Sequence, residues 1–274
     1  MFPHLGLKAS TDPQQVNERL QYHPDVFEFY TDRQDVTDSG LIHLTKMIRL
    51  VQDQGIQHII IHHPMRFGKY HNELFVDATK MLDQYNFLMA GTERLIKLAV
   101  QENVQLLVHG AYNEPLAFIQ QFYPDVQTAQ ALVFKRLDYF FALGGDHIMF
   151  ENSISPVFAY GDATTEALVI QKKYRLCFDV SHAFIYNHGD NAKLQASLKR
   201  LAPQIVHYHL VDSMGLSHDS LPLGQGKIDW AKVYPLLNQQ ATNIFEINLK
   251  NQLDSKEMRD SYHYLLTIQQ NLAH

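Results

Sequence analysis

The sequence predicts an α/β fold, a (β/α)8 barrel forming a single domain over residues 1–274, and three observations carry that expectation. Eight short apolar runs recur along the chain, and each turns polar at its C-terminal end, the pattern of strands buried on both faces of a parallel sheet. Stretches with helical periodicity separate them. The runs begin about 20 to 45 residues apart, as repeated strand–helix units would over this length. An open doubly wound sheet is the alternative. It would carry a glycine-rich phosphate turn after an early strand, and HLGLKAS (4–10) holds no GxGxxG.

The predicted strands, in order, are HLGLKAS (4–10), VFEFYT (26–31), HIIIHHP (58–64), VQLLVHG (104–110), HIMFENS (147–153), YRLCFDVSH (174–182), IVHYHLVDS (205–213) and NIFEINL (243–249). Three intervening stretches read clearly as helices: residues 38–55, 78–103 and 190–203. Two of them open on aspartate, as an N-cap should, and Asp229-Trp230 after GQGKI marks another helix start. No Pro/Ser-rich linker or low-complexity tract interrupts the alternation.

With 46% hydrophobic residues the chain can bury a large core, which excludes a disordered chain. The net charge of −6 argues against a broadly basic nucleic-acid or membrane surface. No apolar run approaches the roughly 20 residues of a membrane helix. A single cysteine, Cys177, excludes an internal disulfide and fits a reducing compartment. The first residues, MFPHLGLKAS, lack the pattern of a secretory signal, so a cytoplasmic protein is expected. What stands out is 16 histidines, common divalent-metal ligands near neutral pH.

In a barrel the strand C-termini converge on one face, where active sites lie. Strand three brings His62 and His63 there, strand four His109, and strand five Glu151 and Asn152. Strand six brings Asp179 and His182, strand seven His207, His209 and Asp212, and strand eight Glu246 and Asn248. Alone, each reads as a satisfied or solvated polar group, and Asp212 as a turn cap. Together, converging carboxylates and imidazoles repel or go unsatisfied unless a cation neutralises them. Mixed ligands of this kind suit Zn²⁺ or Mn²⁺. His207 is expected one layer deeper than His209, in the core. Cys177 is expected to point away from Asp179 and to pack. Trp230 and Phe184 read as packing residues, and Arg33, Arg66 and Lys69 as loop charges near the mouth, with Arg66 placed to meet a substrate phosphate.

These residues resemble the xylose isomerase-like TIM-barrel superfamily, which includes sugar epimerases and endonuclease IV (AP endonuclease family 2). The similarity runs along nearly the whole chain. CFDVSHAF (177–184) carries its D-x-x-H-A, MFENS its strand-five glutamate, and HYHLVDS with LPLGQGKIDW (221–230) its H-x-x-D and P-L-G-x-G-x-I-D-W segments. FEINL, IHHP and VHG supply Glu246, His62 and His109. The resemblance implies a shared metal site of Glu151, Asp179, His209 and Glu246, extended to His62, His109, His182 and His218 if one to three ions are held.

Two functions follow from it. In the first, a sugar or sugar-phosphate isomerase or epimerase, one divalent ion stabilises an enediolate while Glu151 and Glu246 transfer the proton. His62, His109, His182 and Arg66 would then bind the substrate, and homo-oligomers are common among such enzymes. In the second, an endonuclease IV-like zinc phosphodiesterase, nucleic acid would be the substrate. That cluster needs an Asp-x-His before P-L-G, where this chain has His218-Asp219-Ser220. A non-catalytic metal- or sugar-binding barrel is the remaining alternative.

Overall fold

A computed structural model describes residues 2–272. The eight predicted runs form eight strands: β1 (Gly6–Ala9), β2 (Val26–Tyr30), β3 (His58–His62), β4 (Gln105–His109), β5 (Ile148–Glu151), β6 (Leu176–Asp179), β7 (Ile205–Leu210) and β8 (Thr242–Phe245). Consecutive strands are neighbours and every pair along this sheet is parallel. Each strand is followed by a helix: α1 (Pro13–Leu20), α2 (Asp38–Asp53), α3 (Leu82–Glu102), α4 (Val126–Gly144), α5 (Ala163–Lys172), α6 (Asn191–Leu201), α7 (Trp230–Val233) and α8 (Lys256–Leu272). The result is a (β/α)8 barrel. Among the described residues, no helix is long and apolar enough to cross a membrane.

Local chemistry sets the helix starts. Asp12, Thr37, Asp125, Asp162, Asp190 and Asp229 each accept a hydrogen bond from a backbone N–H of the first turn. The third helix starts at Leu82 rather than near Ala78, and Met81 before it offers no side-chain cap. Short elements went unforeseen: the helices Leu116–Ile119 and Val180–Tyr186, the second starting inside the predicted strand run 174–182, and a hairpin. After β3, Arg66–Phe67 pairs antiparallel with Tyr70–His71 around Gly68, which holds φ +61°. Two-residue strands are too short to show an alternation in sequence.

The pleat sorts each strand into an inner and an outer face. Outward residues such as Phe29, Ile61, Val108, Phe150 and Phe178 join the large core beneath the helices. Inward, Val26, Ile60, Leu107, Met149, Cys177 and Ile244 form a separate buried cluster that plugs the barrel. Two residues further along, the same inner face carries Lys8, Glu28, His62, His109, Glu151, Asp179, His209 and Glu246. Every strand therefore delivers one titratable side chain above the apolar plug.

Two expectations are corrected by this parity. Cys177 does not point away from Asp179: both face inward, with the thiol one layer lower, and its packing role stands. His63 turns outward, where its Nε2 lies 2.8 Å from the Thr92 hydroxyl of α3. His207 does lie one layer below His209, fully buried.

The barrel closes between β1 and β8 without a strand ladder. Instead, the Asn243 side chain accepts from the His4 N–H (2.9 Å) and donates to its carbonyl (3.0 Å). Gly6 makes the approach possible, because a Cβ there would overlap the Asn243 carbonyl. Asn243→Ala should therefore cost about 1–3 kcal/mol, by loss of two partly buried hydrogen bonds. Urea denaturation of the variant checks this.

Candidate active site at the barrel mouth

Glu151, Asp179, His209 and Glu246 meet above the plug, each offering a ligand atom within 4.8 Å of the others. His209 Nδ1 lies 3.1 Å from Glu151 Oε1 and 2.8 Å from Glu246 Oε2. Its other nitrogen, Nε2, sits 3.0 Å from the Glu28 carboxylate. That contact fixes the ring, with Nε2–H donating to Glu28; burial opposes a charge on the ring, but Glu151, Glu28 and Glu246 raise its pKa well above the usual value, and a bound ion would take the place of the Nδ1 proton. Asp179 accepts from the His182 N–H at 2.7 Å, which makes it the N-cap of the short helix Val180–Tyr186. Asn152 braces the Asp179 backbone from β5, donating to its carbonyl at 2.9 Å and accepting from its N–H at 2.8 Å.

The charges do not balance by themselves. Four buried or half-buried carboxylates, Glu28, Glu151, Asp179 and Glu246, face one ammonium, Lys8, and one imidazolium, His209. Lys8 pairs with Glu246 and reaches Glu28 at 3.7 Å. Burial pushes the Asp179 carboxyl up to about 7, and the nearby Glu151 and Glu246 charges push the same way. Burial opposes ionisation of Glu151 too, but His109 and His209 hold its carboxyl well below the usual range. Both Glu151 oxygens, Asp179 Oδ2 and His209 Nδ1 are buried without a hydrogen-bond partner. Unsatisfied acceptors with surplus negative charge are what a divalent cation would neutralise, and three carboxylates with one imidazole suit Zn²⁺ or Mn²⁺.

His62, His109 and Glu151 form an adjoining group of the same tightness. His109 Nε2 is 2.9 Å from Glu151 Oε2 and 3.2 Å from His62 Nε2. Burial, reinforced by Lys8 and His109, lowers the His62 pKa to about 4, so its ring is neutral at pH 7. His182 and His218 come near each other, with ring centroids 4.9 Å apart. Among the described residues, neither joins a group of three metal-ligating side chains. Asp219 turns its carboxylate to the Met214 N–H at 2.9 Å, and the Ser220 hydroxyl lies 3.5 Å from His218. Among the described residues, the His218-Asp219-Ser220 stretch joins no group of three close metal-ligating side chains.

Above the cluster opens a cavity of about 230 Å³. Glu246, His109, His182, His218 and Arg66 line it, together with Met65, His71, Tyr112, Asn113 and Ile154. Glu151 and His62, both fully buried, lie beneath it. Arg66 is exposed on the hairpin. Trp230 is buried in helix packing, with its indole N–H 3.1 Å from Asp212, and Phe184 is likewise buried.

Sequence reasoning missed Lys8 and Glu28. Both precede the polar strand ends, at Ser10 and Thr31, that mark the first two runs. Counting in twos from the apolar plug, Gly6 to Lys8 and Val26 to Glu28, would have found them. Glu28→Gln should weaken ion binding about 10- to 100-fold, because the His209 ring loses its charged anchor. Competition against a chelating dye measures it.

Residues 165–267 match the family model described as xylose isomerase-like TIM barrel. No curated protein matches the sequence. Among solved structures, a D-tagatose 3-epimerase-like protein superposes with a TM-score of 0.71 at 15% identity, covering 97% of this chain and 98% of the other. D-psicose 3-epimerase gives 0.67 at 11% identity, over 96% of each chain. The 3-keto-D-glucoside 4-epimerase of E. coli gives 0.65 at 15%, over 96% and 98%. At such identities the likeness is one of fold. Residues 165–267 are thus similar in sequence to xylose isomerase-like TIM barrels, and the fold is a (β/α)8 barrel.

Proposed function

We propose that the chain is a divalent-metal-dependent isomerase or epimerase acting on a sugar or sugar phosphate. One observation carries the reading: Glu246 reaches into a cavity of monosaccharide size from a cluster whose carboxylates outnumber its cations. Glu151, Asp179, His209 and Glu246 are the residues that would hold the ion. A bound ion supplies Lewis-acid polarisation of a carbonyl and stabilises negative charge on adjacent oxygens.

The remaining roles belong to side chains. Glu246 takes the proton from the carbon next to the carbonyl and returns it. Burial resists its ionisation, but Lys8 and His209 hold its carboxyl well below the usual range, so it stays a carboxylate. Glu151 is the second carboxylate of the pair, and because it has no exposed surface here, proton transfer is assigned first to Glu246. His182 donates from Nδ1 to the Asn152 carbonyl at 2.9 Å, which leaves Nε2 free to meet a sugar hydroxyl. His109 forms the wall beside it, over His62. Arg66 at the rim would grip a substrate phosphate.

The experiment is a panel of ketoses incubated in D₂O with ion-loaded protein. Metal-dependent deuterium uptake into at least one sugar is expected, and none across the panel overturns the reading. The adjoining His62–His109–Glu151 group favours one competing reading, a multi-ion phosphodiesterase. Incision of a duplex with an abasic site would establish that instead. Because His218, Asp219 and Ser220 join no group of three close ligating side chains among the described residues, no incision is the expected result.

A further inference from the structure

We propose that the barrel rim holds a second, separate Zn²⁺ site made of His71, Glu73 and Glu114, which ties the hairpin after β3 to the loop after β4. The proposal is independent of the reading given to the barrel centre. None of the three residues lies at a strand end of the barrel, and none belongs to the cluster around His209.

The geometry is that of a ligand set. One donor atom from each residue lies within 4.8 Å of the other two. His71 Nδ1 is 3.0 Å from Glu114 Oε1, across 43 residues of sequence. Glu73 is 3% exposed. One of its oxygens accepts from the Tyr112 N–H at 2.9 Å, and the other, Oε1, is buried with no partner at all. The Gln84 amide oxygen, also 3% exposed and unpartnered, lines the same small cavity as the three ligands, and Phe75, Phe118, Phe122 and Met81 form its apolar walls.

A carboxylate facing such walls is costly unless it is protonated or neutralised. Two carboxylates and one imidazole around a doubly charged ion leave no net charge. An imidazole in the set disfavours the hard cations Ca²⁺ and Mg²⁺, and three protein ligands with an open position are a common zinc arrangement. The site would also stiffen the substrate cavity. The His71 ring stacks on Tyr112 at 5.6 Å, Tyr112 stacks on His109 at 4.4 Å, and His71 itself lines that cavity.

The test counts ions. Chelator-stripped protein is loaded with ZnCl₂, freed of excess, and assayed for zinc per chain by mass spectrometry, with circular dichroism to verify folding. The His71→Asn/Glu114→Gln variant should hold one zinc fewer than wild type. The Asp179→Asn/His209→Gln variant should still hold the rim ion. A rim variant that binds as much zinc as wild type overturns the proposal, whatever happens at the barrel centre. If a double variant fails to fold, wild-type crystals soaked in ZnCl₂ decide. An anomalous peak among His71, Glu73 and Glu114 supports the site, and peaks confined to the barrel centre overturn it.

Discussion

Glu246→Gln should slow metal-dependent deuterium exchange about 10²- to 10⁴-fold at saturating ion, the usual contribution of a positioned proton-transfer group. The amide keeps the size of the side chain but cannot accept the proton. In barrier terms this is about 3–5 kcal/mol. Glu246 is also a proposed ion ligand, so the ion content of the variant is measured in parallel. A rate loss that persists at full occupancy assigns the proton transfer to Glu246. Full exchange in the variant would move the role elsewhere, with Glu151 next. Lys8, the partner of Glu246, would face only Glu28 in the variant. Some loss of stability is therefore expected alongside the loss of rate.

The largest effect on stability is expected from Asp212→Ala, at a residue outside the proposed ion ligands. Asp212 is fully buried, and its carboxylate collects four donors: the N–H groups of Ser213 (2.9 Å), Gly224 (2.8 Å) and Ile228 (3.2 Å) and the Trp230 indole (3.1 Å). Its backbone also pairs with Leu221 in both directions. This one side chain thus folds residues 212–230 back onto the barrel and sets the start of α7. Gly226 passes so close that a Cβ there would overlap the Asp212 carboxylate. Alanine would strand several buried donors at once, costing about 4–5 kcal/mol. At roughly 2–4 °C per kcal/mol for a chain of this size, Tm should fall by about 10–15 °C. A melting curve within about 3 °C of wild type would show that the loop holds itself without its carboxylate.

The fold was legible because buried parallel strands leave a signal that needs no alignment: continuous apolar runs that end in polar residues. The polar strand ends were legible for the same reason, and the family resemblance singled out Glu151, Asp179, His209 and Glu246 among them. Resolution failed where side-chain parity mattered. His63 follows His62 directly and so faces the opposite way. Cys177 stands two residues before Asp179 and so shares its face. Lys8 and Glu28 looked like interruptions of apolar runs, yet they are the counter-charges that hold Glu246 and His209. The His71–Glu73–Glu114 group was out of reach because it joins a hairpin of two-residue strands to a distant loop. Asp212 was half-legible: its capping role could be read from the sequence, but not the reach of its four partners across 18 residues.

The stitch at Asn243 has a consequence for the chemistry above it. A wall fastened on seven sides by backbone pairing, and on the eighth by the Asn243 amide and the Lys8–Glu246 ion pair, has fewer backbone hydrogen bonds to break at that eighth side. Lys8 rides on one lip of that gap and Glu246 on the other. Each opening would draw the ammonium away from the carboxylate and let the proton affinity of Glu246 climb. The basicity of Glu246, the proposed proton-transfer group, is thus coupled to how tightly the first and last staves of the cylinder are held together.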